Sequence, residues 1–273
     1  MCIATVAWIT STSGIAALVV ARVGGKKEKK DMELPKVVSR DAWLLARKEL
    51  LIKEKEWSRQ RDAQSAERRK LPMVRVEKDY AFDGPNGRRT LLDLFDGRRQ
   101  LIVYHFMFDS EWEQGCPACS FVADHFDGVL PHLAARDTSF AVISRAPLAK
   151  LERFRKRMGW GFPWLSSFGS DFNYDFQVTI DQEHPDYNYR DYYPIADAMA
   201  SKMKGPPPGE GQGLSVFLRD GKQVCHAYST FQRGLDPFLN TYNFLDHTPL
   251  GRQENGLPMS WVRYHDTYQE NGK

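Results

Sequence analysis

The run LIVYHFMF, Leu101 to Phe108, is apolar at odd and even positions alike. A strand of that kind needs cover on both faces, which a central place in a sandwiched sheet provides. After it come DSEWEQG, the cysteine pair CPAC and a helix expected from Pro117 to Ala135. A second apolar run follows, SFAVIS (Ser139 to Ser144), and then a second helix in PLAKLERFRKRMG, ended by Gly159. Strand, loop, helix, strand, helix is the pattern of a parallel βαβ unit, so the fold class expected is α/β.

Further hairpins flank this unit. VRVEKDYAF, the turn DGPNG and RRT read as one, with a short helix starting at Thr90 to Asp93. LSVFLRDGKQVCHAYS reads as another, with strands Leu214–Leu218 and Val224–Tyr228 around Asp220-Gly221. A last helix is expected over Gly234 to Phe244, and the aromatic stretch 171–213, ending in KGPPPGEGQG, as a loop or lid.

Upstream, Ser39 to Lys70 contains no Gly or Pro and reads as one helix, capped by Ser39 or Asp41. At 1.5 Å per residue it makes an arm about 45 Å long. It is expected to pack across the main domain, or to join two copies of the chain in a homodimer. The first 31 residues are expected to lie outside the fold, as an upstream reading-frame extension, a membrane anchor through Ile3–Ala21, or plain disorder. A chain starting at Met32 is expected to fold by itself. The expected division is 1–31 extension, 32–72 helical arm, 73–263 α/β domain and 264–273 tail.

The net charge is +3, and the basic clusters at Lys26–Lys30 and Arg59–Lys70 lack interleaved aromatics, so no nucleic-acid partner is expected. Four cysteines at 2, 116, 119 and 225 are too few for a disulfide scaffold in 273 residues. Cytoplasmic location is the expectation.

The pair Cys116 and Cys119 carries the chemistry. At a helix N-terminus, unpaired N–H groups and the helix dipole stabilise a thiolate, and Pro117 suits the first turn. Cys116 is then the attacking thiolate and Cys119, one turn on, the resolving thiol. Two other readings stay open: a metal site completed by Cys225 or by His105, His125, His132 or His226, and two structural thiols.

The segments QLIVYHFMF…GCPACSF..DHFDG, AVISRAPLAKLERFRKRMGWGFPWLSSFGSDFNYDF and LSVFLRDG…HAYSTFQRGLD…LDHTPLGR resemble a family of mainly bacterial thioredoxin-fold proteins. That family is catalogued as a domain of unknown function and labelled predicted dithiol-disulfide oxidoreductases. The resemblance runs from about Leu34 to Arg263. It implies a thioredoxin-like three-layer sandwich with the helical arm in front and a terminal β-hairpin. It also implies thiol–disulfide exchange by Cys116 and Cys119 on a protein or small-molecule disulfide or thiol, with an electron donor of unknown identity and no cofactor.

A looser resemblance to peroxiredoxins makes a hydroperoxide reductase the first alternative, and a non-catalytic metal- or ligand-binding protein the second. Peroxiredoxins place a proline and a Thr or Ser where this chain has Asp109 and Glu113, which counts against peroxide chemistry. The cis-proline of thioredoxins has no counterpart either, since Gly213 and Leu214 stand there. Asp109, Glu111, Glu113 and Asp124 make an acidic surround expected to leave Cys116 less acidified than the thiol of a strong oxidant. Trp112 and the tyrosine-rich insertion are expected to line a substrate groove. His226, Tyr228 or Ser229 is expected near the cysteines, with His226 and Tyr228 on one face of their strand.

Overall fold

The computed structural model describes residues 34–189, 209–254 and 258–271. The stretch Ile3–Ala21 and residues 190–208 of the tyrosine-rich insertion lie outside the described residues. Among the described residues no helix is long and apolar enough to cross a membrane.

The arm helix α1 spans Arg40–Arg68, and the Ser39 hydroxyl caps it by accepting from the Ala42 amide. It buries none of its residues, and Trp43, Leu50 and Trp57 stay exposed. Near its end, the Arg68 guanidinium lies over the Tyr228 ring at 5.1 Å.

Among the described residues ten strands follow the arm: β1 (Val74–Arg75), β2 (Ala81–Gly84), β3 (Gly87–Thr90), β4 (Gln100–His105), β5 (Thr138–Ser144), β6 (Trp164–Ser166), β7 (Thr179–Ile180), β8 (Gly209–Glu210), β9 (Gly213–Asp220) and β10 (Gln223–Phe231). Five short helices sit between or after them: α2 (Pro117–Ala123), α3 (Leu130–Ala134), α4 (Leu148–Met158), α5 (Phe172–Asp175) and α6 (Asn240–Leu245). The main sheet has the order β1-β10-β9-β4-β5-β6-β2-β3, and β7 and β8 pair separately. As its apolar run requires, β4 is central, parallel to β5 and antiparallel to β9.

Alternation along these strands sorts the core into two layers. Tyr104, Val142 and Leu214 face α2, α4 and α6, together with Phe121, Phe154 and Tyr242. Leu101, Val103, Ile143 and Phe217 face the other way, onto Phe95, Phe172 and Phe176. The second outer layer is thin, built from the turn Asp93–Phe95 and α5. Thr90 and Asp93 open that turn by reciprocal side-chain-to-amide bonds, as their spacing predicts.

Two helix expectations are corrected. The helix from Pro117 stops at Ala123, and a 3-10 turn at Asp127–Val129 leads into α3. Pro131 explains the break, because its missing N–H is tolerated only in a first turn, where it stands in α3. The last helix likewise divides into a 3-10 segment, Gln232–Phe238, and α6, with Pro237 inside the former.

Candidate active site

The strand β4 delivers the chain to the C-terminal edge of the sheet, where α2 starts with Cys116 as its N-cap and Pro117 in its first turn. The turn is pinned to the strand end, since the Cys116 amide donates to the Met107 carbonyl at 3.0 Å. Three side chains hold the loop between them. Lys150 Nζ donates to the carbonyls of Ser110 (2.9 Å) and Trp112 (3.0 Å) and pairs with Glu113 at 3.2 Å. Arg157 reaches Gln114 Oε1 at 2.8 Å. Arg145 Nη2 donates to Asp109 Oδ2 at 2.8 Å.

Gly115 sits where no side chain fits. A Cβ there would lie 2.6 Å from the Phe106 ring and 3.0 Å from that of Phe154. Both rings are buried in the core and cannot swing away. Gly115→Ala is therefore expected to cost about 1–3 kcal/mol by overpacking and to displace Cys116. Chemical denaturation of the reduced protein, together with its alkylation rate, measures both effects.

The two sulfurs differ in the way thiol exchange needs. Cys116 is half-buried, Cys119 is fully buried, and both are free thiols. A hydrogen bond from the Cys119 side chain, then the amides of Cys119 and Ala118, bring the Cys116 thiol down to about 7 against the opposing effect of burial. Burial and the neighbouring Cys116 push Cys119 well above the ordinary thiol value. In the acidic surround, Asp109 and Glu113 are paired with Arg145 and Lys150, and a value of about 7 stays well short of the acidity of a strong oxidant's thiol. Asp124 is likewise held, by Trp160 Nε1 at 2.8 Å and His265 Nδ1 at 2.7 Å.

Beneath the pair, Cys119 Sγ donates to Gln212 Oε1 at 3.8 Å and accepts from the Met107 amide at 3.5 Å. Gln212 immediately precedes β9, in the neighbourhood where thioredoxins carry their cis-proline, and no described peptide bond is cis. Its carbonyl accepts from the Tyr187 hydroxyl at 2.8 Å, so part of the aromatic insertion closes onto the site. Trp112 lies in the loop before Cys116 with 36% of its surface exposed.

The expected tail from residue 264 is instead docked here. Tyr264 donates to the Gly115 carbonyl at 2.7 Å, and Asp266 pairs with Arg157 at 2.8 Å. Sequence reasoning missed Tyr264, Gln212 and Tyr104 because nothing local marks them.

His226 and Tyr228 are not where alternation puts them. The register pairs His226 with Phe217 and so aligns it with Leu101, at the far end of β4 from the cysteines. The segment that does return to the cysteine edge ends at Phe231, opposite Gly213. A bulge between His226 and Tyr228 also puts these two on opposite faces. His226 packs on Phe176 and Phe217, whereas Tyr228 meets Arg68. Ser229 joins a buried chain across the other face: His226 Nε2 to Ser229 Oγ (2.7 Å), to Ser215 Oγ (2.7 Å), to His105 Nε2 (2.8 Å). His105 is tied into this chain on the opposite face from the cysteine pair, and Cys225, opposite Leu218, lies at the far end of the sheet; the described residues contain no group of three or more His, Cys, Asp or Glu able to hold a metal ion.

A hairpin, a central strand and its parallel neighbour in the order β10-β9-β4-β5, with C-P-A-C opening the first crossover helix, define a thioredoxin-fold protein. The chain belongs to the family described as "Bacterial protein of unknown function (DUF899)", which it matches over residues 32–268. No curated protein matches it. Among solved structures it is similar to Peroxidoxin BcpB from Mycobacterium tuberculosis, with 18% identity, 63% of this chain and 94% of that one covered, and a TM-score of 0.40. A mutant of PrxQ from Xylella fastidiosa shares 14% identity over 60% of this chain and 88% of its own, with a TM-score of 0.39. Peroxiredoxin Q from Xanthomonas campestris shares 15% identity over 59% and 87%, with a TM-score of 0.37.

Proposed function

We propose that the protein is a thiol–disulfide oxidoreductase in which Cys116 attacks and Cys119 resolves. The asymmetry of the two thiols carries this reading. One is partly open to solvent and acidified to about 7, and the other is sealed beneath it with its proton held firmly. A thiol with its pKa near ambient pH is the most effective attacker, being both ionised and nucleophilic. The substrate is a disulfide or thiol that approaches over Trp112, and no group beyond the two sulfurs is needed for the exchange.

Iodoacetamide labelling of the reduced protein tests the assignment. Labelling should fall on Cys116, rising with pH through about 7 as the thiolate forms and levelling off above it. Faster labelling of Cys119, or a rate still climbing steeply at pH 9, would refute the roles given to the two sulfurs.

Hydroperoxide reduction is the less favoured activity. Glu113 stands where a peroxidatic site needs a hydroxyl donor, and an ionised carboxylate only accepts. Oxidation of Cys116 by hydrogen peroxide is expected to be no faster than that of a simple thiol of similar acidity. Stopped-flow fluorescence showing rapid turnover would reverse the order of the two activities.

A further inference from the structure

Tyr104, the penultimate residue of β4, lies on the face of the sheet covered by α2, fully buried in the same cluster as Cys119. Its ring is fixed by edge-on contacts with Phe106 and Phe126, at centroid separations of 6.4 and 5.0 Å. Its hydroxyl, by contrast, has no aligned hydrogen-bond partner among the described residues. Buried polar groups are normally paired, so an orphaned phenol in a core calls for a cause.

Within that cluster the hydroxyl and the Cys119 sulfur lie close enough for each to act on the other's proton. The Met107 amide already donates to the same sulfur at 3.5 Å. While Cys116 is protonated, the thiol has Gln212 Oε1, 3.8 Å away, as an acceptor for its single proton, which turns to Cys116 once that thiol ionises. Two donors therefore converge on an atom that carries no negative charge until it reacts.

We propose that Tyr104 Oη and the Met107 N–H form a two-donor pocket that stabilises the Cys119 thiolate as it attacks the mixed disulfide on Cys116. This rests on the thiol–disulfide reading above. In the step, the electron pair left when Cys119 loses its proton forms the Cys119–Cys116 bond. The bond from Cys116 to the substrate sulfur breaks, and the departing thiolate takes up a proton, so no further oxidant or reductant is consumed. Burial holds the Cys119 proton tightly, and a pocket that acts on the anion alone offsets that cost where it matters. An interaction stronger with the anion in the transition state than with the resting thiol raises the rate instead of tightening the ground state. Tyr104 keeps its own proton throughout, because burial places its pKa well above the ordinary phenol value.

The full chain carrying Tyr104→Phe, which keeps the ring and its packing, tests this. With glutathione disulfide, formation of the mixed disulfide on Cys116 should keep its rate, while release of glutathione by Cys119 slows about tenfold, the loss of one charge-assisted hydrogen bond. In a Cys116→Ser background, the Cys119 titration followed by ultraviolet thiolate absorbance should move to higher pH when Tyr104→Phe is added. Placing 3-fluorotyrosine at 104, a more acidic donor of nearly the same shape, should move it to lower pH, and this arm serves if the phenylalanine variant folds poorly. Unchanged titrations in both variants would overturn the Tyr104 assignment. Failure of the unmodified chain to form or resolve any mixed disulfide would instead overturn the exchange reading, and the titrations would still decide whether Tyr104 is a donor to Cys119.

Discussion

Cys116→Ser is expected to reduce disulfide exchange by on the order of 10³-fold or more, since it removes the nucleophile. Cys119→Ser should leave the first step intact and accumulate a mixed disulfide on Cys116, detectable by mass as a stable adduct with glutathione. The contrast follows from position. Cys116 stands half-exposed at the N-cap position of α2, where the amides of Cys119 and Ala118 acidify its thiol, whereas Cys119 is sealed and meets only the Cys116 sulfur. Serine is close to cysteine in size, so neither change should disturb the core. If Cys116→Ser retained turnover and Cys119→Ser lost it, the order of attack would be reversed.

Arg145→Met should give the largest loss of stability. Arg145 Nε lies 3.0 Å from Glu210 Oε1, and the Glu210 side chain is only 1% exposed. The same guanidinium binds Asp109 at 2.8 Å and Tyr174 Oη at 2.6 Å, tying the loop before the cysteines to β8. Burial pushes the Glu210 carboxyl up to about 7 despite Arg145, the Thr179 hydroxyl and the Asn173 amide. Without the guanidinium, a buried carboxylate is left without its counter-ion, a loss of about 3–5 kcal/mol.

The pH dependence has a definite sign. The folded pKa of Glu210 lies above its ordinary value of 4.5, so folding favours the protonated form. Losing the guanidinium raises the folded pKa above about 7, so the loss should be larger at pH 8 and should shrink toward pH 5, where the buried carboxyl is protonated in both proteins. Urea unfolding at the two pH values measures it. An equal loss at both would show that the guanidinium acts through packing, not charge.

Much of this protein is legible in order along the chain. The central strand follows from Leu101 to Phe108 being apolar on both faces, and the hairpin strands β9 and β10 from apolar runs around Asp220-Gly221. The helix α4 ends at Gly159, which takes the left-handed conformation that suits glycine. The place of Cys116 and Cys119, at the point where a buried strand gives way to a helix, was visible for the same reason. These features depend on periodicity and on Gly and Pro, which act within a few residues of themselves.

What surrounds the sulfurs was decided by the tertiary structure. Two residues of β10 change faces because one bulge shifts the register between them, and nothing in HAY announces a bulge. His226 consequently points into the wrong half of the core for the role its strand position suggested. Conversely, Tyr104 reads as one more apolar strand residue until β4 is laid under α2, and Gln212 as one more loop residue until β9 starts beside Cys119. Tyr264, distant in sequence, arrives at Gly115 because the chain end folds back along α4. The sequence by itself determined where the two thiols sit, since a helix start is a local event. Only the fold decided what those thiols feel, because burial, register and ion pairing depend on contacts between residues that have no fixed spacing along the chain.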